Sequence, residues 1–110
     1  MKNFAGLLQK LGIADAMTPK TVFRQQGSEV AAAVAEGVAE IGITFTSELS
    51  PNKGVLVAGV LPAEIQSPTI YAAAMTSSAA NPEGARALLQ ELQTPLTRAA
   101  IAKAGLEPTK

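Results

Sequence analysis

The stretch QGSEVAAAVAEGVAEIGITFTSE, residues 26–48, is the part of the chain from which the fold is interpreted. Ser28 is predicted to be the N-cap of a helix over residues 28–36, because its hydroxyl can accept a hydrogen bond from a free amide of the first turn. Gly37 is placed to end that helix in a left-handed conformation. The run 39–45 then predicts a buried strand with three apolar side chains on one side: Ile41, Ile43 and Phe45.

The start of this helix is also a candidate binding site. A helix N-terminus presents free backbone amides, so residues 27–30 could hold a small anion. A Gly-Ser pair before a helix is an ordinary cap in most proteins, so the pattern alone gives only a weak hypothesis of an anion site.

Composition limits the classes of function. The chain has 110 residues, as expected for one small domain, and equal numbers of basic and acidic residues. This balance argues against nucleic-acid binding, which needs a basic patch. The chain has no histidine and no cysteine, so we expect no cofactor and no metal site. No apolar run is long enough to span a membrane, and Lys10 interrupts the only N-terminal candidate for a signal peptide.

Periodicity and turn residues predict the order of the elements along the chain. Helices are expected over residues 3–11 and 28–36, from Asn81 onward, and from Thr94 to a stop at Gly105. Strands are expected over residues 21–25, 39–45, 55–60 and 69–75, with a loop over 14–20 and a turn over 47–54. This order predicts an α/β protein with a mixed sheet.

Three segments carry a family resemblance: GSEVAAAVAEGVAEIGITFTSEL, VLVAGVLPAEIQSPTIYAAAM and NPEGARALLQELQTPLTRAAIAKAGLEP. In this order and spacing they resemble the C-terminal half of a molybdate-type periplasmic solute-binding protein of an ABC transporter. The resemblance implies a three-layer, type II periplasmic binding fold in which two lobes close on an oxyanion. Residues 1–68 would form part of the second lobe, and 69–110 the crossover strand and C-terminal helices of the first. The first lobe would be largely absent, so the chain is expected to be a fragment.

The resemblance also implies ligand-binding residues. The backbone amide that touches the oxyanion in this family corresponds to Val30, with Ser28 and Glu29 beside it. A tyrosine of the family's site corresponds to Phe45, which has no hydroxyl to donate. This difference suggests a ligand other than molybdate.

The expected function is therefore extracytoplasmic solute binding, with a small-molecule ligand and a transporter permease as partners, and with a periplasmic location. An enzyme is not expected, because Glu40, Glu48 and Glu64 are interpreted as solvated charges near strand ends. Two alternatives stay open. One is a ligand-sensing effector domain of a bacterial regulator. The other is a self-associating structural fragment, since unpaired strand edges predict a homo-oligomer.

Overall fold

The computed structural model describes residues 2–109 and is built from helices joined by long segments without regular secondary structure. The helices are α1 (Lys2–Lys10), α2 (Ala14–Met17), a 3₁₀ turn (Thr18–Lys20), α3 (Gly27–Ala35), α4 (Thr46–Leu49), α5 (Pro82–Glu91) and α6 (Pro95–Lys103). None of the helices within residues 2–109 has the length and apolarity that a membrane crossing requires.

The first helix forms as its apolar spacing predicts. Leu8 is buried, and α1 ends at a glycine, Gly12, with a φ of 69°. The amide of Ile13 donates to the carbonyl of Leu8 at 3.0 Å, so the chain turns back over the last turn of the helix. This arrangement confirms the predicted helix and its stop.

The loop predicted over residues 14–20 is wrong, because a short helix and a 3₁₀ turn occupy it. Two threonine hydroxyls hold these turns together: Thr18 donates to the carbonyl of Ala14 and Thr21 to that of Met17, each at 2.7 Å. Pro19 lies in the first positions of the 3₁₀ turn, where a backbone amide would have no partner within the turn in any case.

The N-cap of the central helix lies two residues earlier than the sequence predicts. Gln26 is the N-cap residue of α3, so the assignment of that role to Ser28 is wrong. The reason is Glu29, whose Oε2 accepts the backbone amides of Gln25 at 3.1 Å and Gln26 at 3.3 Å. A carboxylate at this position satisfies amides that precede the helix and thereby sets its start. Gly37, with a φ of 75°, ends the helix as predicted.

The four predicted strands have no regular secondary structure, and no strand pairing occurs within residues 2–109. Segment 39–45 nevertheless lies along α3. A Cβ at Gly42 would come within 2.8 Å of Val30 and 2.9 Å of Val34, so a glycine is needed for this close approach. The α/β fold with a mixed sheet, and the division into two lobes at residue 68, stay predictions.

The turn predicted over residues 47–54 contains one helical turn, α4, before Asn52 accepts the amide of Gly54 at 2.8 Å. The predicted starts of the last two helices are both confirmed. Asn81 Oδ1 accepts the amide of Gly84 at 2.9 Å, and Thr94 Oγ1 accepts that of Thr97 at 3.3 Å.

The chain as a whole is elongated and open. Its Cα radius of gyration is 17.7 Å, whereas a compact domain of this length has a radius of about 13 Å. Among residues 4–109, the buried hydrophobic side chains are Leu8 and Ala31. The helices therefore depend mainly on their own hydrogen bonds and caps, and little on a common core.

Candidate functional site

The first turn of α3 forms the centre of the candidate site. The helix begins at Gly27, so its first three residues are Gly27, Ser28 and Glu29. The amides of these residues come before the first regular hydrogen bond from an amide to the carbonyl four residues earlier. The amide of Glu29 donates back to the carbonyl of Gln26 at 3.2 Å. Val30 is the fourth helical residue. The free amides of the first turn therefore lie before Val30, whereas the family resemblance assigns the ligand contact to the amide of Val30 itself.

A second element, the segment from Thr44 to α4, packs against this turn. The hydroxyl of Thr44 donates to Oε2 of Glu48 at 2.8 Å, and both side chains lie directly over Gly27. Gly27 is buried, and a Cβ at this position would overlap the Glu48 carboxylate. A glycine at this position leaves room for the Glu48 carboxylate over the first turn of α3.

The charges around the site are mixed. Negative side chains near a helix N-terminus are stabilised by the helix dipole, and Glu29 and Glu48 already occupy that position in part. Beside them, a groove of about 300 Å³ runs along α3, lined by Arg24, Glu29, Ala32, Ala33, Glu36 and Val38. An anion at the first turn would therefore meet free amides together with two carboxylates that compete for them.

Two aromatic rings meet next to the segment that contains Thr44. Phe45 is the N-cap residue of α4 and its ring meets Tyr71 edge-on, with the centroids 6.5 Å apart and the planes at 70°. This geometry is favourable for an aromatic pair. Phe45 directly follows Thr44, so the ring pair adjoins the segment that packs on α3.

The structure thus places the predicted site residues on two adjoining elements: Ser28, Glu29 and Val30 in the first turn of α3, and Phe45 at the start of α4. It also brings Thr44 and Glu48 to the site. Glu48 was interpreted as a solvated charge, yet it is half-buried and hydrogen-bonded. Two features of the sequence could have indicated this contact: the spacing of four residues between Thr44 and Glu48, and the glycine at the start of α3.

Comparison with known proteins gives two findings. The family described as bacterial extracellular solute-binding protein matches residues 1–107. An aconitate isomerase from a Pseudomonas species is 42% identical over 79 residues, which are 72% of this chain and 30% of that protein. The chain therefore spans about a third of the length of this curated relative. No solved structure matches the chain significantly.

These findings correct one expectation and confirm another in part. The prediction that the protein is not an enzyme is wrong, because the relative at 42% identity bears the name of an enzyme. The expectation of a solute-binding protein with a small-molecule ligand is confirmed at the level of the family, whereas a molybdate specificity is not. With the match extending over residues 1–107, the chain belongs to the bacterial extracellular solute-binding protein family.

Proposed function

We propose that this chain forms part of a binding site for a polycarboxylate, with aconitate as the first candidate, in a periplasmic protein of the type II binding fold. The observation that supports the ligand most directly is the 42% identity to a protein named aconitate isomerase. The family match over residues 1–107 supports extracellular solute binding in general.

The first turn of α3 suits one carboxylate group of such a ligand. Backbone amides at a helix N-terminus donate to anionic oxygens, and the helix dipole adds to the attraction. In this proposal, the amides of Gly27 and Ser28 receive one carboxylate, and the ring of Phe45 lies beside the carbon skeleton. The absence of a hydroxyl at Phe45 fits a ligand with an apolar portion better than it fits a bare oxyanion.

Catalysis by the same site is the second part of the proposal. Aconitate can be isomerised when a base removes a proton from its methylene carbon, the double bond shifts, and the proton returns to the former vinyl carbon. No atom is gained or lost. Glu48 is the candidate base, because its carboxylate lies over Gly27 and is oriented by the hydroxyl of Thr44 at 2.8 Å.

The alternative function is transport of an oxyanion such as molybdate, with delivery to an ABC transporter permease. The resemblance of residues 28–48 to molybdate-type proteins supports it, and the loss of the tyrosine at Phe45 weighs against it. The two ligand classes can be separated by direct titration.

The binding test is a calorimetric and thermal-shift titration of the chain with cis-aconitate, trans-aconitate, citrate, molybdate and sulfate. We expect a saturable rise in melting temperature with the tricarboxylates, because a ligand that binds only the folded state stabilises it. Ser28→Glu should weaken this binding by about tenfold or more, since a like charge within a few ångströms costs about 1–4 kcal/mol.

Ser28→Ala is the matched control, because it keeps the backbone amide, and it should retain affinity. A shift with molybdate alone would favour oxyanion transport. No shift with any of these anions would overturn the proposal that this chain binds a carboxylate.

The catalytic test follows cis- and trans-aconitate by proton NMR in deuterated buffer. We expect interconversion together with deuterium uptake at the methylene carbon. Glu48→Gln keeps an oxygen for Thr44 and should lower the rate by about 100-fold or more while binding persists. Binding without interconversion in the unaltered chain would leave a solute-binding function and contradict the proposed reaction.

A further inference from the structure

The C-terminal turn of α6 rests on the backbone of α4. Gly105 ends α6 with a φ of 90°, and the amide of the next residue, Leu106, donates to the carbonyl of Ile101 at 3.2 Å. This is the hydrogen-bond pattern of a left-handed glycine stop. A Cβ at Gly105 would lie 2.9 Å from the backbone nitrogen of Ser47 and 3.1 Å from the carbonyl carbon of Thr46. The two backbones therefore approach each other with no side chain between them, as a glycine allows.

The residues under this turn lead directly to the candidate base. Ser47 immediately precedes Glu48, whose carboxylate lies over Gly27. The helix that carries both residues, α4, has only four residues. A helix of this length is not stable by itself in water. The position of the Glu48 backbone therefore depends on the elements against which α4 packs.

On the α3 side, the contact that places Glu48 is made by its side chain. The hydroxyl of Thr44 orients the carboxylate at 2.8 Å, but Thr44 and Glu48 belong to the same short segment. The contact with Gly27 is made by the flexible end of the Glu48 side chain, which can rotate. Gly105, by contrast, contacts the backbone of α4. A contact with backbone sets the position of the whole turn and of the side chain that the turn carries.

We infer that Gly105 is a positioning residue for Glu48: it supports the backbone of α4 and thereby keeps the Glu48 carboxylate over the first turn of α3. The inference rests on the proposed function, in which Glu48 is the base. Any side chain at residue 105 would push α4 away, because its Cβ would overlap the backbone of Ser47. A reacting group displaced by about 1 Å can lose about 100-fold in rate. A side chain at residue 105 should therefore affect the rate more than the binding of the ligand.

The first test compares Gly105→Asn with Gly12→Asn. Asparagine tolerates a left-handed backbone better than most residues, so both helix stops are kept. Open space surrounds Gly12, whereas a Cβ at Gly105 meets α4. In the proton NMR assay of aconitate interconversion, Gly105→Asn should lower kcat by about tenfold or more and leave KM within about twofold. Gly12→Asn should leave both constants unchanged. An unchanged kcat in Gly105→Asn would overturn the inference and leave the proposed reaction intact.

The second test is a double-mutant cycle that needs no catalysis. Gly27→Ala displaces the Glu48 carboxylate, so it should lower the melting temperature of the otherwise unaltered chain. In a chain with Gly105→Asn, α4 has already moved, and the loss caused by Gly27→Ala should be smaller by about 2 °C or more. In a chain with Gly12→Asn, the loss should be unchanged, because distant sites behave additively. Additive losses with Gly105→Asn would overturn the inference even if the chain is inactive.

Proton NOE spectra of the unaltered chain cover the case in which Gly105→Asn does not fold. We expect cross-peaks between the α protons of Gly105 and the amide proton of Ser47, because their backbones are in contact. The absence of these cross-peaks would overturn the inference. Cross-peaks and non-additive losses without any interconversion would contradict the proposed reaction alone, and Gly105 would still hold Glu48 in place.

Discussion

Single glycines determine how closely the elements of this chain approach each other. A Cβ at Gly27 would meet the flexible end of Glu48, whereas a Cβ at Gly105 would lie 2.9 Å from the backbone nitrogen of Ser47. A side-chain carboxylate can rotate away, but backbone cannot. The same substitution should therefore have different consequences at the two sites.

Gly105→Ala should destabilise the chain by about 2–4 kcal/mol, because a residue with φ of 90° is strained and the added methyl overlaps backbone. Gly12→Ala is the matched control, with φ of 69° and open space around it. It should cost only about 1–2 kcal/mol. Chemical denaturation of both variants measures the difference. Equal losses would mean that the end of α6 does not pack on α4 in solution.

Gly27→Ala should displace the carboxylate of Glu48 and break its hydrogen bond with Thr44. In a chain that already carries Glu48→Ala, the same change should be tolerated, because the space is free. A double-mutant cycle should give a coupling free energy of about 0.5–3 kcal/mol. A coupling near zero in thermal unfolding experiments would show that Glu48 does not lie over Gly27.

At the scale of elements, the helices of this chain are largely independent units. α5 and α6 begin at side-chain caps, and most residues of α5 are exposed. Short helices without a packed face are marginal in water. Their stability should therefore respond strongly to changes at the caps.

Asn81→Ala should lower the stability of α5 by about 0.5–2 kcal/mol, because the amide of Gly84 loses its acceptor. Amide hydrogen exchange over residues 82–91 reports this loss locally. Ser78→Ala, an exposed position three residues before the cap, should leave the exchange rates unchanged. Slow exchange that persists in Asn81→Ala would show that tertiary contacts, and not the cap, hold α5 in place.

The ends of the helices differ in how well the sequence predicted them. Capping residues and left-handed glycines predicted the ends of α1, α5 and α6 because these signals act within one turn of the chain. The N-cap of α3 was misplaced by two residues because Glu29 pairs with amides before the helix. The apolar character of segment 39–45 could be predicted from its sequence. Its pairing with another strand could not, because the local sequence does not identify the partner strand.

At the scale of the whole molecule, the small amount of buried surface determines the response to denaturant. The slope of unfolding free energy against urea follows the area exposed on unfolding. We expect the dilute chain to unfold with a slope below about 1 kcal/mol per molar urea, under the usual range for small proteins. A steep transition would indicate a compact chain instead.

The sequence by itself determined helices α1, α3, α5 and α6, the glycine stops of α1, α3 and α6, the apolar character of segments 39–45 and 55–60, and the membership of a solute-binding family. These features follow from local hydrogen bonding, backbone conformation and residue pattern. Only the tertiary structure decided that Glu48 and Thr44 lie over Gly27, and that the odd-numbered side of segment 39–45 is left open. Those contacts join residues far apart in the chain, and their geometry depends on which faces α3 and α4 leave available for packing.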